Sequence, residues 1–81
     1  MSKIELALLK PLDSGIITEL SAEACLQQRL LALGFRVGRK ITMLRKAPFN
    51  GPVHIRIGTT EVMLRRRDAL FIHVMKISEK S

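Results

Sequence analysis

The 81 residues of this chain suit one domain, because two domains would have about 40 residues each, near the lower limit for independent folding. Hydrophobic residues make up 47% of the chain and no apolar run exceeds four residues, which argues against both disorder and a membrane span of about twenty residues. The single Cys25 excludes an intrachain disulfide and a CxxC site. We therefore expect one domain, 1–81, with its core at about 11–77. We also expect it in the cytoplasm, because no signal-peptide pattern follows the start.

Positive charge is concentrated in the middle of the chain. The net charge is +7, and residues 29–67 carry ten Lys and Arg against the one acid Glu61. Such a segment is typical of proteins that bind nucleic acid, an anionic membrane surface or the acidic face of another protein. A basic surface without any partner is the alternative.

The N-terminal part predicts a turn and one short strand. Residues 6–9 (LALL) are apolar enough to pack on the core or on a second copy of the chain. Residues 10–15 are rich in turn formers, and the β-branched stretch 16–20 is typical of a strand.

Residues 22–33 predict a helix of about three turns. Ser21 is its candidate N-cap, and Gly34 followed by Phe35 is typical of a left-handed C-cap in which Phe35 contacts the last turn. The apolar positions recur at helical spacing and define one stripe: Ala22, Leu26, Leu30 and Leu33.

The second half of the chain has the period of strands. Alternation begins at Ile41, is interrupted by the turn 47–52 (APFNGP) and continues over 53–57, 61–65 and 71–77. Residues 66–69 break the alternation and predict a short turn. In the fourth strand Val62 and Leu64 share one face, which leaves Met63 on the polar face.

These elements indicate a mainly β fold with about five short strands and one helix after the first strand. Closure into a barrel hides the edges of such a sheet, so we expect a small SH3-like β-barrel.

Four motifs occur in an order and spacing that resembles the FeoA family over about residues 11–74. They are 29–38 (RLLALGFRVG), 47–52 (APFNGP), Gly58 and 64–69 (LRRRDA). The resemblance implies an SH3-like barrel that is not an enzyme. It also implies a role in bacterial ferrous iron uptake, with FeoB, the Fe(II) permease that has a cytosolic GTP-binding domain, as partner.

The sequence also lacks the usual patterns of catalysis and metal binding. The sequence has no motif that pairs a nucleophile with a general base, and it has no glycine-rich phosphate-binding motif. Cys25 is expected to be a small, at least half-buried hydrophobic side chain. Cys25, His54 and His73 have no ligand spacing, so we expect no cofactor and no metal site within one chain. His54 lies on the face of its strand opposite Val53, Ile55 and Ile57, so we expect it to be exposed. A metal shared between chains remains open.

A docking surface is the main functional hypothesis for the basic residues. It comprises Arg45, Lys46, Phe49, Arg65, Arg66 and Arg67. Phe49 would anchor the partner and the cations would steer it. In the alternative, Phe49 folds back onto the barrel. A second predicted surface is a groove beside the helix with Leu26 and Leu30 as its floor, if the core does not bury them.

Three functions remain open at this point. The first is docking to the permease in support of its transport or GTP cycle, with anionic lipid as an additional contact. The second is a small nucleic-acid-binding barrel, which the charge favours and the scarcity of aromatic residues disfavours. The third is a self-associating module, which is compatible with the first.

Overall fold

A computed structural model describes residues 3–77 of the chain, so residues 1, 2 and 78–81 of the predicted domain lie outside it. Six strands and two helices follow one another along the chain. In order they are β1 (Lys3–Glu5), a 3-10 turn (Leu6–Leu8), β2 (Ser14–Leu20), α1 (Ala24–Leu33), β3 (Lys40–Lys46), β4 (Val53–Ile57), β5 (Thr60–Leu64), α2 (Arg66–Ala69) and β6 (Ile72–Ile77). The predicted mainly β fold is confirmed. The helix predicted after the first strand is α1, which follows the second strand because β1 precedes the strand that was predicted first.

The strands form one antiparallel sheet in the order β1-β6-β2-β3-β4-β5. Register shifts occur in β2 between Ile17 and Glu19 and in β3 between Met43 and Arg45. Such bulges bend and twist strands, which lets a small sheet coil around a core. Within residues 3–77, β1 and β5 are the two edges of the coiled sheet.

The core is apolar and is built mainly from the inward faces of the strands. Its largest fully buried side chains are Phe35, Leu6, Leu9, Ile17, Leu30, Ile41, Met43, Ile55, Ile72, Val53 and Val74. Burial of this kind supplies about 1.5–3 kcal/mol for each large aliphatic or aromatic side chain.

The N-terminal segment belongs to the fold to a greater extent than predicted. β1 pairs with β6, which makes six strands rather than five, and Leu6 and Leu9 are buried ahead of the expected core boundary at residue 11. Leu8 is exposed. Three residues are too short a strand to show a period of two, so only pairing with β6 defines β1.

The start of the helix differs from the prediction. α1 begins at Ala24 rather than residue 22, with Glu23 at the N-cap position and no side-chain cap. Ser21 was the wrong cap, because its hydroxyl donates to the Glu19 carboxylate at 2.9 Å. Leu33, predicted in the apolar stripe, is exposed.

The end of the helix is as predicted. Gly34 is left-handed with φ of 106°, a conformation that L side chains rarely adopt. The N–H of Phe35 donates to the Leu30 carbonyl at 2.9 Å, and that of Gly34 donates to the Leu31 carbonyl at 3.0 Å. This pair of bonds is the Schellman pattern, and it turns the Phe35 side chain into the core.

Three further predictions were wrong. Residues 66–69 form the short helix α2 rather than a turn. Cys25 is exposed, because it lies on the solvent side of α1. His54, expected on the open face of its strand, is partly buried.

The Asp13 carboxylate, directly before β2, makes two contacts that stabilise its charged form. It accepts a hydrogen bond from the backbone N–H of Lys10 at 3.1 Å and lies 3.4 Å from the Lys76 ammonium. The hydrogen bond from Lys10, followed by the Lys76 contacts, holds the pKa of Asp13 below its usual value of 3.8. The Glu19 carboxylate behaves alike: hydrogen bonds first from Lys3 and then from Ser21 lower its pKa.

We expect these two carboxylates to steepen acid unfolding. A pKa lowered by folding contributes stability that is complete above the unfolded value and is lost as the pH falls through the folded value. Urea unfolding of an Asp13→Asn, Glu19→Gln double variant should therefore depend less on pH than that of the wild type between about pH 5 and pH 2. Equal pH slopes in the two proteins would contradict this assignment.

Candidate functional site

The loop 47–52 holds Phe49 away from the body of the protein. The Ala47 N–H donates to the Pro52 carbonyl at 2.9 Å, and the Gly51 N–H donates to the Pro48 carbonyl at 3.1 Å. A Cβ at Gly51 would lie 2.7 Å from that of Ala47, so the loop tolerates only glycine there without rearrangement. Phe49 is 99% exposed rather than folded back onto the barrel.

Two adjacent residues of this loop have unusual backbone angles. Phe49 and Asn50 both have φ of 59°, in the left-handed region that is uncommon for residues other than glycine. Such conformations persist where the surrounding structure holds them, and they cluster at functional sites. The tight loop therefore presents an aromatic ring to solvent in a defined position.

The predicted basic residues divide into two groups. Arg45, Arg65 and Arg67 are exposed. Arg66 and Lys46 are partly buried and make internal contacts: Arg66 Nε donates to the Gly51 carbonyl at 3.4 Å. The Arg66 contact brings the cluster 65–67 next to the loop, as the docking hypothesis requires.

Lys46 has a structural contact of its own. Its ammonium donates to the Ala7 carbonyl at 2.7 Å and so connects β3 to the 3-10 turn. Burial, and then the nearby positive charge of Arg66, lower the pKa of Lys46. We therefore regard Lys46 as a support for the surface and the exposed arginines as its accessible charges.

An apolar groove lies beside this loop on the outer face of the sheet. Its volume is about 170 Å³, and it is lined by Arg45, Ala47, Pro52, His54 and Met63. Arg45 is opposite His54 in the β3–β4 ladder, and His54 is opposite Met63 in the β4–β5 ladder. Met63 is 63% exposed.

Sequence reasoning missed Met63 and His54 as parts of this surface. The available signal was the placement of Met63 on the polar face of its strand, where an apolar side chain has no core to fill. Their proximity to Arg45 depends on two strand registers and a bulge, which the alternation alone does not specify.

The predicted groove beside the helix exists in altered form. A larger groove of about 400 Å³ is lined by Glu23, Leu26, Arg29, Asp68 and Phe71. Leu30 is only 1% exposed and belongs to the core, so it cannot form the floor as predicted. Phe71 is 41% exposed in this groove.

A second basic cluster was not singled out from the sequence. It surrounds a depression of about 360 Å³ lined by Arg39, Lys40, Thr42, Arg56 and Gly58. The Arg56 guanidinium lies 3.5 Å from the Glu61 carboxylate, which offsets part of its charge. This cluster lies at the opposite end of the β3–β4 ladder from the loop 47–52.

Residues 3–77 contain no group of three or more His, Cys, Asp and Glu side chains placed to hold a metal ion. The helices of that range are also too short or too polar to span a bilayer.

Comparison with known proteins gives consistent similarities. The FeoA domain model matches residues 4–76. The chain is also similar to the Fe(2+) transport protein A/Fe(2+) transporter FeoB fusion protein of Porphyromonas gingivalis. The two sequences are 36% identical over 69 residues, and the alignment covers 85% of this chain and 8% of that protein. The chain thus spans about a twelfth of that relative.

Two solved structures extend the similarity to the fold. FeoA from Chlorobium tepidum is 29% identical with a TM-score of 0.86, over 96% of this chain and 74% of that one. FeoA from Stenotrophomonas maltophilia, solved with zinc and described as a prokaryotic SH3 domain protein, is 27% identical with a TM-score of 0.74. That match covers 86% of this chain and 87% of the other. The predicted SH3-like architecture is confirmed. The predicted closure is incomplete, because over residues 3–77 β1 and β5 do not pair and remain edges.

Proposed function

Because the chain belongs to the FeoA family, we propose that it is a non-enzymatic accessory protein of ferrous iron uptake that docks to a FeoB-type permease and supports its transport or GTP cycle. In this role it works in the cytoplasm, at the inner face of the membrane through its partner. It needs no cofactor, because guanine nucleotide and iron are handled by the permease.

The fusion protein of Porphyromonas gingivalis is the observation that carries this proposal. There a segment 36% identical to this chain is joined to the Fe(2+) transporter FeoB in one polypeptide. Covalent linkage raises the effective concentration of two interacting modules without any new contact. A domain with the same sequence pattern is therefore well suited to bind a transporter of that kind.

The docking surface that we propose consists of Phe49 and the exposed arginines 45, 65 and 67. The tight loop is already held by backbone hydrogen bonds, so its backbone loses little entropy on binding. Aromatic residues and arginines dominate interface energetics. Arg66 and Lys46 stabilise this surface from behind through their contacts with Gly51 and Ala7. The uncharged side chain of Phe49 contributes to the binding free energy, and the positive charges of the arginines raise the association rate constant.

The direct test is retention of the cytosolic part of the permease by this protein, with and without guanine nucleotide. Specific retention is expected, and dependence on the nucleotide would connect the contact to the GTP cycle. Failure to bind in every nucleotide state, together with failure of full-length permease in membranes, would overturn the proposed function.

Charge removal should slow this association. We expect an Arg45→Gln, Arg65→Gln, Arg67→Gln variant to associate about tenfold more slowly at low salt and to lose most of its salt dependence. The matched control replaces Arg36, Arg39 and Arg56 with Gln, which removes the same charge from another region of the surface. Equal slowing in both variants would indicate attraction by net charge alone and contradict the docking surface.

A nucleic-acid-binding barrel is the alternative, and the two exposed basic clusters favour it. Filter binding of single-stranded DNA and RNA at two salt concentrations separates the alternatives, because phosphate contacts weaken steeply with salt. Tight binding that survives physiological salt would favour nucleic acid, whereas loss of binding would leave the permease as the partner. Light scattering would determine whether the protein also self-associates.

A further inference from the structure

We propose that the β5 edge of the sheet receives an extended, acidic segment of the partner, which pairs with β5 as a seventh strand. The inference rests on the proposed function, since it names the kind of segment that the docking surface recognises. In this arrangement one apolar side chain of the segment fills the groove beside Met63, and its carboxylates face the exposed arginines.

The β5 edge has free backbone groups in a regular pattern. Across residues 3–77, β5 pairs only with β4. The two strands are joined by the two-residue turn Gly58-Thr59, so the closing pair Ile57–Thr60 is of the hydrogen-bonded kind. Pairs alternate along an antiparallel ladder, so Thr60, Val62 and Leu64 bond to β4. Glu61 and Met63 therefore direct their N–H and C=O groups away from the sheet.

Within residues 3–77, no proline, bulge or inward-pointing charge of β5 blocks another strand. Proteins protect edges with proline, inward-pointing charges or short strands. β5 has five residues and no proline, and its inward side chains, Val62 and Leu64, are apolar. Its one charged side chain, Glu61, is on the outer face and is paired with Arg56.

The side chains around the edge specify what kind of strand fits. The row Arg45–His54–Met63 crosses three strands on the outer face, so a strand added to β5 places its own side chain next to Met63. The groove of about 170 Å³ between Met63 and Pro52 has room for a valine- or leucine-sized group. Phe49, on the adjoining loop, would cover such a side chain from one end.

The charge around the groove selects an acidic segment. Arg45 lies on the rim of the groove, and Arg65 directly follows β5. Arg65, Arg66 and Arg67 are consecutive, and the next acid, Asp68, forms an ion pair with Arg29 on the far side of α2. Residues two positions apart share a face of a strand, so a carboxylate two residues from the apolar side chain beside Met63 lies on the same outer face, toward Arg65. An incoming strand with this pattern meets unpaired positive charge, whereas a basic strand would be repelled.

Hydrogen exchange of the backbone amides, measured by NMR on the full chain, tests this arrangement. The probe is a short synthetic peptide with valine at the outward position beside Met63, glutamate at the next outward position beside Arg65, and valine at the inward positions. The control peptide replaces each glutamate with lysine. In the free protein the Glu61 and Met63 amides should exchange faster than those of Val62 and Leu64. At saturation with the acidic peptide we expect both to slow by about tenfold, with no such change for the basic peptide.

A matched pair of variants separates backbone pairing from side-chain packing. Met63→Ala removes the side chain and keeps the N–H, whereas Met63→Pro also removes the outward N–H without losing a bond to β4. We expect Met63→Pro to bind the acidic peptide about fivefold to tenfold more weakly than Met63→Ala. If Met63→Pro does not fold, the exchange measurement on the wild type decides alone.

The possible results distinguish this inference from the proposed function. Permease binding without slowed exchange at Glu61 and Met63 would overturn strand addition and leave the accessory role intact. Slowed exchange with the acidic peptide but no binding of the permease would support the edge site and overturn the proposed partner. Equal binding of both peptides, or tighter binding of single-stranded DNA to the same amides at physiological salt, would overturn the inference.

Discussion

Replacing Phe35 with alanine should destabilise the protein by about 3–5 kcal/mol, the usual cost of removing a large buried aromatic side chain. Phe35 is completely buried and is the largest of the buried side chains. It follows Gly34 at the C-cap of α1, so its ring fills the space where the helix meets the barrel. A chain of this length has a free energy of unfolding of about 4–12 kcal/mol, so the variant should be close to unfolded.

Urea unfolding followed by circular dichroism measures this effect. The matched control is Phe71→Ala, which removes the same atoms from a partly exposed position and should lose much less stability. If Phe35→Ala does not fold, Phe35→Leu should still be measurably destabilised. Equal losses for the variants at positions 35 and 71 would contradict the assignment of Phe35 to the core.

In contrast to Phe35→Ala, replacing Phe49 with alanine should greatly weaken partner binding and change the free energy of unfolding little. The side chain is 99% exposed, so its removal leaves no cavity and exposes no core. As the aromatic anchor of the proposed docking surface, it should contribute about 2 kcal/mol to binding, or about thirtyfold in the dissociation constant. Titration of the permease's cytosolic part, together with thermal unfolding, measures both quantities.

Phe71→Ala also serves as the control for binding, because Phe71 lines the groove between α1 and α2. If the partner occupies the surface around Phe49, this variant should bind normally. A loss of binding for Phe71→Ala with normal binding for Phe49→Ala would move the interface to the groove that contains Leu26.

Much of the fold could be predicted because its signals are local. β4 was predicted with its observed bounds, since its buried side chains alternate without interruption. The C-cap at Gly34 was predictable because the left-handed residue and the following apolar residue occupy adjacent positions. The N-terminus of α1 was not, because the Ser21 hydroxyl donates to the Glu19 carboxylate and the helix begins after Glu23 without a side-chain cap.

The candidate site was less predictable, because its members come from separate parts of the chain. The basic residues and Phe49 were identified from charge and from the turn in which Phe49 lies. Their separation into exposed arginines and supporting residues depends on two contacts, of Lys46 with Ala7 and of Arg66 with Gly51, that span 39 and 15 positions.

The sequence by itself determined the fold class, the longer helix with its glycine cap, the basic middle segment and the family resemblance. These properties depend on composition and on spacings within one element, and neighbouring residues establish them before any packing occurs. The tertiary structure decided that β1 joins the sheet, that Leu30 is buried in the core and that β5 remains an open edge. It also placed Met63, His54 and Arg45 in one row. Those outcomes follow from strand order and register, which are set when distant segments compete for the same core and the same backbone partners.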